Sequence, residues 1–455
     1  MLAGKISLAA APGYPVVRVP AEKRHFKSTA IEAAIAEFKA NVKNRELAWL
    51  FENCFPNTLD TTVFYTEKDS LPDTYVITGD INAMWLRDSS AQVWPYLEFI
   101  NRDDALKKLI SGVIRRQTRC ILKDAYANAF YDDDSKVGEW KNDHTDMRPG
   151  VHERKWEVDS LCYPIRLAYH YWKKTGDASP FTVQWQNGIK RTLQVFKEQQ
   201  RKTGKGPYHF QRVSLYPTDT LSMNGYGAPV NPVGLICSSF RPSDDATVFP
   251  FLIPSNFFAV ASLRQAAEMM NGIFRDRMLA KQLDELAAGV DAALQKYAVI
   301  DHPRHGKIFA FEVDGFGGRY IMDDSNVPSL LSLPYLGAVK ADDEVYKNTR
   351  RFILSADNPY YFKGSAAEGV GGPHIGPDMI WPMSITIRGL TSTSDTEIKA
   401  CINMLRTTHA GKGFMHESFN KDNPEKFTRS WFAWANTLFG EFLWKIYKEK
   451  QHLLV

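Results

Sequence analysis

Apolar side chains recur every three or four residues along most of the chain, the spacing of one face of an α-helix. Ile31, Ile35, Phe38 and Val42 form one such stripe, and Leu106, Leu109, Ile110, Val113 and Ile114 another. Leu283, Leu286, Val290 and Leu294 form a third, and Trp431, Ala435, Leu438 and Phe442 the last. Followed along the chain, the pattern predicts helices at 28–54, 88–101, 104–127, 157–175, 181–201, 253–271, 274–298, 327–337, 340–355, 377–391, 394–410 and 429–449. Thr29 to Glu32 reads as a capping box, with Thr29 as N-cap and Glu32 reaching back. Strand-like alternation is short and local, as in KIFAFEVDGFGGRYI at 307–321, and predicts hairpins in loops rather than a main sheet.

Twelve helices without a sheet predict an all-α fold, an (α/α)6 barrel in which six inner helices are ringed by six outer ones. Loops at one end of such a barrel form a pocket. Unusual residues do collect between the helices, at 75–87, 129–156, 208–250, 357–376 and 411–428. Connections above about 15 residues are uncommon unless functional, and the one at 202–252 is very long. No linker rich in Gly, Ser or Pro divides the chain, so 1–455 reads as one domain with 1–26 as an extended N-terminal segment.

Composition narrows the partners. The chain has 455 residues, 44% hydrophobic and 24% charged, an ordinary globular balance that can bury a large core. The net charge of +4 is spread over 56 basic and 52 acidic residues. The Arg115-Arg116 and Arg350-Arg351 pairs fall in helical patterns, where a solvated face explains them. A nucleic-acid footprint would need basic residues clustered on one face, so nucleic acid is not an expected partner. No segment approaches the roughly 18 to 20 apolar residues of a membrane span. The five cysteines are widely spaced with no Cys-x-x-Cys, which suggests neither a disulfide framework nor a zinc site. The start, MLAGKISLAAAPGYP, has an apolar run too weak to count as a signal peptide; periplasmic or secreted placement would need a leader that has been removed or truncated.

Candidate chemistry lies in the loops. TGDINAMWLRDSSAQVWPY places Asp80, Trp85, Arg87 and Asp88 within nine residues. An Asp can accept from sugar hydroxyls, an Arg can donate to them and a Trp can stack beneath the ring; the plain alternative is a helix start with a surface ion pair. HERKWEVDSLCYP mixes Glu153, Lys155, Glu157 and Asp159 with Trp156, and an i,i+4 bridge from Lys155 to Asp159 would explain those charges equally well. SSFRPSDDATVFPFLIPSNFF carries Arg241 and the adjacent carboxylates Asp244 and Asp245 ahead of an apolar run. Adjacent Asp often cap helices, but burial among apolar neighbours raises a carboxyl pKa, as a general acid near neutral pH requires. SAAEGVGGPHIGPDMIWPMS has no phosphate-loop spacing but offers His374 and Trp381. In GKGFMHESFN, Glu417 follows His416; it is either a helix-end acid paired with Arg429 or Lys421, or a carboxylate base held in a cleft.

There is no His-Glu-x-x-His, no calcium-loop spacing and no Gly-x-Ser-x-Gly, so neither a metal, a cofactor nor a serine nucleophile is expected. The remaining inventory of carboxylates, aromatics, Arg and His suits glycoside hydrolysis by two acids. With 13% aromatic residues, including 11 Trp and 19 Tyr, the chain is also well supplied for stacking on sugars.

Six motifs, in this order, resemble glycoside hydrolase family 125, the exo-acting α-1,6-mannosidases. They are TGDINAMWLRDSSAQVWPY, KWEVDSLCYP, FRPSDDA, MDDSNVPSLLSLPYLG, GPHIGPDMIWPMS and GFMHESF, and the resemblance spans nearly the whole chain. It implies an (α/α)6 barrel, inversion at the anomeric carbon, no required metal, and a mannose-containing oligosaccharide as substrate. It implies Asp244 as general acid, with Asp245 as fallback, and Glu417 as general base. Trp85, Arg87, Asp88, Lys155, Asp159, Arg241, His374, Trp381, His416 and Arg429 are the expected sugar-binding residues. A glycoside phosphorylase or epimerase on the same barrel, and a glycan-binding protein without turnover, are the alternatives.

Overall fold

A computed structural model describes residues 13–455; the leader-like stretch at the start of the chain lies mostly outside them. Among the described residues twelve α-helices have eight residues or more: α1 (Thr29–Asn41), α2 (Arg45–Cys54), α3 (Leu86–Val93), α4 (Asp104–Lys123), α5 (Val158–Thr175), α6 (Val183–Gln199), α7 (Ile253–Met269), α8 (Arg277–Tyr297), α9 (Glu344–Ile353), α10 (Pro382–Leu390), α11 (Asp395–Thr407) and α12 (Ala433–Lys450). Each long stripe became a buried face, except that Trp431 of the last one precedes its helix and is half-buried. Leu279, Leu283, Leu286, Val290 and Leu294 of α8 are all buried, each stabilising the fold by about 1.5–3 kcal/mol.

The inner ring runs α12–α3–α5–α7 on one side and α10–α12 on the other, with α4, α6, α8, α11 and α2 packed outside it. This is the expected all-α barrel, decorated by two- and three-stranded sheets in the loops. The sixth inner place is not a helix. Residues 327–337, expected to be helical, are a chain of turns. Pro328 and Pro334 have no N–H to give a helix. Asp323 takes the N–H groups of Leu330 and Leu331 at 2.8 and 3.0 Å, and the hydroxyls of Ser332 and Ser329 take those of Ser329 and Ser332. Tyr163 of α5 bonds to the Val327 carbonyl, and Tyr335 bonds to Glu441 of α12, so side chains tie the segment to inner helices.

The expected helix at 28–54 is two helices. Val42 ends α1 in an extended conformation and Asn44 caps α2 by accepting from Leu47 N–H. The N-cap of α1 is Ser28 rather than Thr29, and Glu32 turns away from a capping box to pair with Arg18. Outer and inner helices differ at their N-termini. Six of the seven helices outside the inner ring, α1 and α9 included, carry a side-chain cap, from Ser28, Asn44, Asp103, Asp276, Asp343 or Ser394. The five inner helices have Trp85, Glu157, Leu252, Trp381 and Phe432 at N-cap and no side-chain cap bond.

Candidate active site

The loop before α7 separates two neighbouring acids. Arg241 N–H donates to the Asp245 carbonyl at 2.8 Å and Asp244 N–H donates to the Arg241 carbonyl at 2.9 Å, closing a tight turn. Asp244 holds φ at 68°, in the left-handed region. Consecutive side chains therefore point apart. Asp244 lines a pocket and its side chain is 34% exposed. Asp245 is buried, with Oδ1 3.2 Å from His374 Nδ1. The pairing with Asp245, Asp244 and Glu417 outweighs the opposing effect of burial and lifts the imidazole of His374 to about 9.

The second carboxylate comes from the far end of the chain. Strand Ser418–Asn420 pairs on one edge with Met379–Ile380 and on the other with Phe427–Thr428. Glu417 precedes the central strand and Trp381 follows its antiparallel neighbour, so both emerge at the same end of the sheet. Glu417 Oε1 lies 3.6 Å from Arg429 Nε, which lies 3.5 Å from Asp80 Oδ2. Asp244 and Glu417 line one pocket, together with Trp85, Trp381, Phe432 and Trp434. The indole Nε1 groups of Trp85 and Trp381 are buried with no acceptor from the protein.

The N-termini of α3, α10 and α12 converge on this pocket, bringing Arg87 and Asp88, Trp381, and Phe432 and Trp434 into its wall. Arg87 is the hub of the floor. Its Nη1 lies 2.6 Å from Glu157 and 3.3 Å from Asp159, its Nε 3.5 Å from Asp88, and its Nη2 3.5 Å from Asp244 Oδ1. Burial opposes the guanidinium charge, but the carboxylates outweigh it and hold Arg87 well above its ordinary value. Burial pushes Asp88 up to about 6 despite Arg87, and raises Glu157 and Asp159 as well. Two carboxylates lining one cleft, aromatic walls and a buried charged cluster at Arg87 form a site suited to a neutral polyhydroxylated ligand.

The family model for metal-independent α-mannosidases, glycoside hydrolase family 125, matches residues 44–444. The chain belongs to glycoside hydrolase family 125. It is an α-mannosidase by that membership. The family-125 chain is 43% identical to the meiotically up-regulated gene 157 protein of Schizosaccharomyces pombe, over 97% of this chain and 90% of that protein. Its fold superposes with a TM-score of 0.90 on a metal-independent α-mannosidase of Streptococcus pneumoniae, solved in a non-productive complex with α-1,6-mannobiose; identity is 40%, with 94% of this chain and all of that chain covered. A bacterial glucoamylase, at TM-score 0.54 and 12% identity over 92% of this chain and 58% of its own, shares the barrel fold.

Of the ten residues expected at the sugar, Trp85, Arg87, Asp88, His374, Trp381 and Arg429 line the pocket of this family-125 chain. Four do not. Asp159 is wholly buried against Arg87. Arg241 lies under the acid loop, bonded to Glu312 at 2.6 Å, while Glu312 Oε2 takes the N–H groups of Val248 and Phe249. His416 is buried and stacked on Phe427 with ring centroids 3.9 Å apart, and its Nδ1 bonds to the Ser430 carbonyl. Burial holds His416 down at about 4, so it is neutral. Lys155 is buried behind Asp244. A motif places a residue near a site, but which face of the loop it takes depends on partners far along the chain. Sequence reasoning missed Asn326, Ser243, Phe432 and Trp434 as pocket residues. Asn326 lies inside MDDSNVPSLLSLPYLG, and the aromatics open the last helix, so both signals were present.

Proposed function

We propose that the chain is an inverting exo-α-1,6-mannosidase that releases non-reducing terminal mannose from N-glycan or mannan-derived oligosaccharides. Asp244 donates its proton to the glycosidic oxygen as the C1–O bond breaks. Glu417 takes a proton from a water whose oxygen attacks C1 from the opposite face. One mannose is released inverted, and the two carboxyls exchange their protonation states until solvent restores them. Inverting pairs stand about 6.5–9.5 Å apart so that the water fits between them.

The observation that carries this reading is that Asp244 and Glu417, distant in sequence and borne on separate loops, line one aromatic pocket. Asp244 is the acid rather than Asp245, because Asp245 is enclosed behind His374. Support for the α-1,6 linkage comes from the streptococcal relative, which was solved with α-1,6-mannobiose. Trp85, Arg87, Asp88, His374, Trp381 and Arg429 bind the sugar. The test is mannose release from α-1,6-mannobiose followed by NMR, which reads linkage and anomeric configuration together. Glu417→Gln and Asp244→Asn should each lower turnover at least about 100-fold, the scale of acid–base catalysis, with unchanged melting. β-Mannose should appear first. Wild-type turnover by either variant, or α-mannose as the first product, would refute the mechanism.

A further inference from the structure

We propose that Lys155 is a positioning residue for Asp244, tying the main chain of the acid to Asp219, earlier in the same 202–252 connection, and to the segment that follows the strand Val151–Glu153. The inference rests on Asp244 being the acid. Lys155 follows the strand Val151–Glu153 and its side chain is 4% exposed. Its Nζ donates to Asp219 Oδ1 at 2.7 Å and to the Asp244 carbonyl at 3.0 Å, with Glu153 Oε1 at 3.7 Å. The ammonium therefore grips the backbone of Asp244, not its carboxylate, and leaves the carboxylate free to meet a substrate.

That grip matters because of the conformation it holds. Asp244 is not glycine, yet its φ is 68°, a conformation that is costly for an L-residue and persists where the surroundings hold it. Two bonds do so. The N–H of Asp244 is fixed by the Arg241 carbonyl and its C=O by Lys155. Without the Lys155 bond the Asp244 carbonyl is free, and Asp244 can relax out of the left-handed region, which re-aims its carboxylate away from the pocket.

Lys155 also joins segments that are separate in sequence. Asp219 belongs to a turn whose Thr218 carbonyl accepts from Ala246 N–H at 2.7 Å. Arg212 bonds Asp219, Glu153 and Asp143, closing a buried network around the ammonium. Burial opposes the charge of Lys155, but Glu153, Asp244 and Asp219 outweigh it and keep the lysine protonated. A compact ammonium with three donors suits this junction better than a planar guanidinium.

The test compares two substrates that differ in their need for an acid. α-1,6-Mannobiose requires protonation of its leaving oxygen; 2,4-dinitrophenyl α-mannoside does not. Lys155→Met should lower kcat on mannobiose about 100-fold with KM within about twofold, and lower kcat on the dinitrophenyl glycoside less than about tenfold, because an acid's share of catalysis spans about 100- to 10,000-fold. Asp219→Asn, at a more exposed position, should show the same selectivity at about a tenfold loss of kcat on mannobiose and serves if Lys155→Met does not fold. Asp244→Asn is run alongside. If Asp244→Asn loses both substrates equally, the acid assignment falls and the role of Lys155 with it. If Asp244→Asn is selective while the Lys155 and Asp219 variants lose both substrates equally, or neither, Asp244 remains the acid and the positioning role is overturned.

Discussion

Replacing Arg87 by methionine removes the guanidinium that faces Glu157, Asp159, Asp88 and Asp244 while keeping most of the side-chain volume. Glu157 and Asp159 are wholly buried and cannot turn to water. Breaking a buried ion pair from one side costs about 3–5 kcal/mol. The unfolding entropy is about 2.1 cal/mol/K per residue, which for 455 residues gives about 1 kcal/mol per degree. The melting temperature at pH 7.5 should therefore fall by about 3–5 °C. The drop has a defined pH dependence. Burial already raises Glu157 and Asp159 above their unfolded values, so their charge opposes folding at neutral pH and protonation relieves it as the pH falls. Without Arg87 they rise further, and the relief is larger. Scanning fluorimetry at one heating rate should find the difference between variant and wild type smaller at pH 5 than at pH 7.5. An equal drop at both values would show that the loss is packing, not uncompensated charge. Mannose release should fall in parallel, because Arg87 lines the pocket.

Asp245→Asn should bring His374 down from about 9, since burial then acts against only the weaker pull of Asp244 and Glu417; the imidazole NMR signal reads this directly. In the wild type the stabilisation from this pair is complete below about pH 6.5 and fades as the pH rises through about 9, and that dependence should be weaker in the variant. His416→Phe should keep kcat/KM within about threefold while melting lower, because it preserves the stack on Phe427 and strands the Ser430 carbonyl at a cost of about 1–3 kcal/mol; a large loss of turnover would return His416 to the sugar. Activity should survive EDTA, and a complete loss restored by calcium would overturn metal-free hydrolysis.

Helical periodicity was enough to find nearly every stave of the barrel, because amphipathic stripes report burial directly. It failed at 327–337, where the apolar spacing is right but the two prolines and the Asp323 and Ser caps decide the backbone. The two carboxylates were legible as loop acids in unusual company. Their environments were not: that Asp244 faces out and Asp245 in depends on a turn closed by Arg241 and on His374, some 130 residues away. The same holds for Glu157, whose motif was conspicuous but whose partner Arg87 lies on another helix. Short-range pattern names the residues; long-range pairing assigns their faces.

The bare N-termini of the inner helices bear on how this protein could be made more robust. A Ser, Thr, Asn or Asp cap contributes about 1 kcal/mol, so five uncapped ends forgo about 5 kcal/mol in total. Three of them present Trp85, Trp381 and Phe432 to the pocket. The usual consensus repair of a helix start would there exchange an aromatic wall for a small polar residue. Thermal hardening and turnover are thus opposed on the ring that holds the sugar, and compatible on the outer helices, where the caps are already filled. Room for improvement without loss lies at Thr182, the outer N-cap position that makes no cap bond.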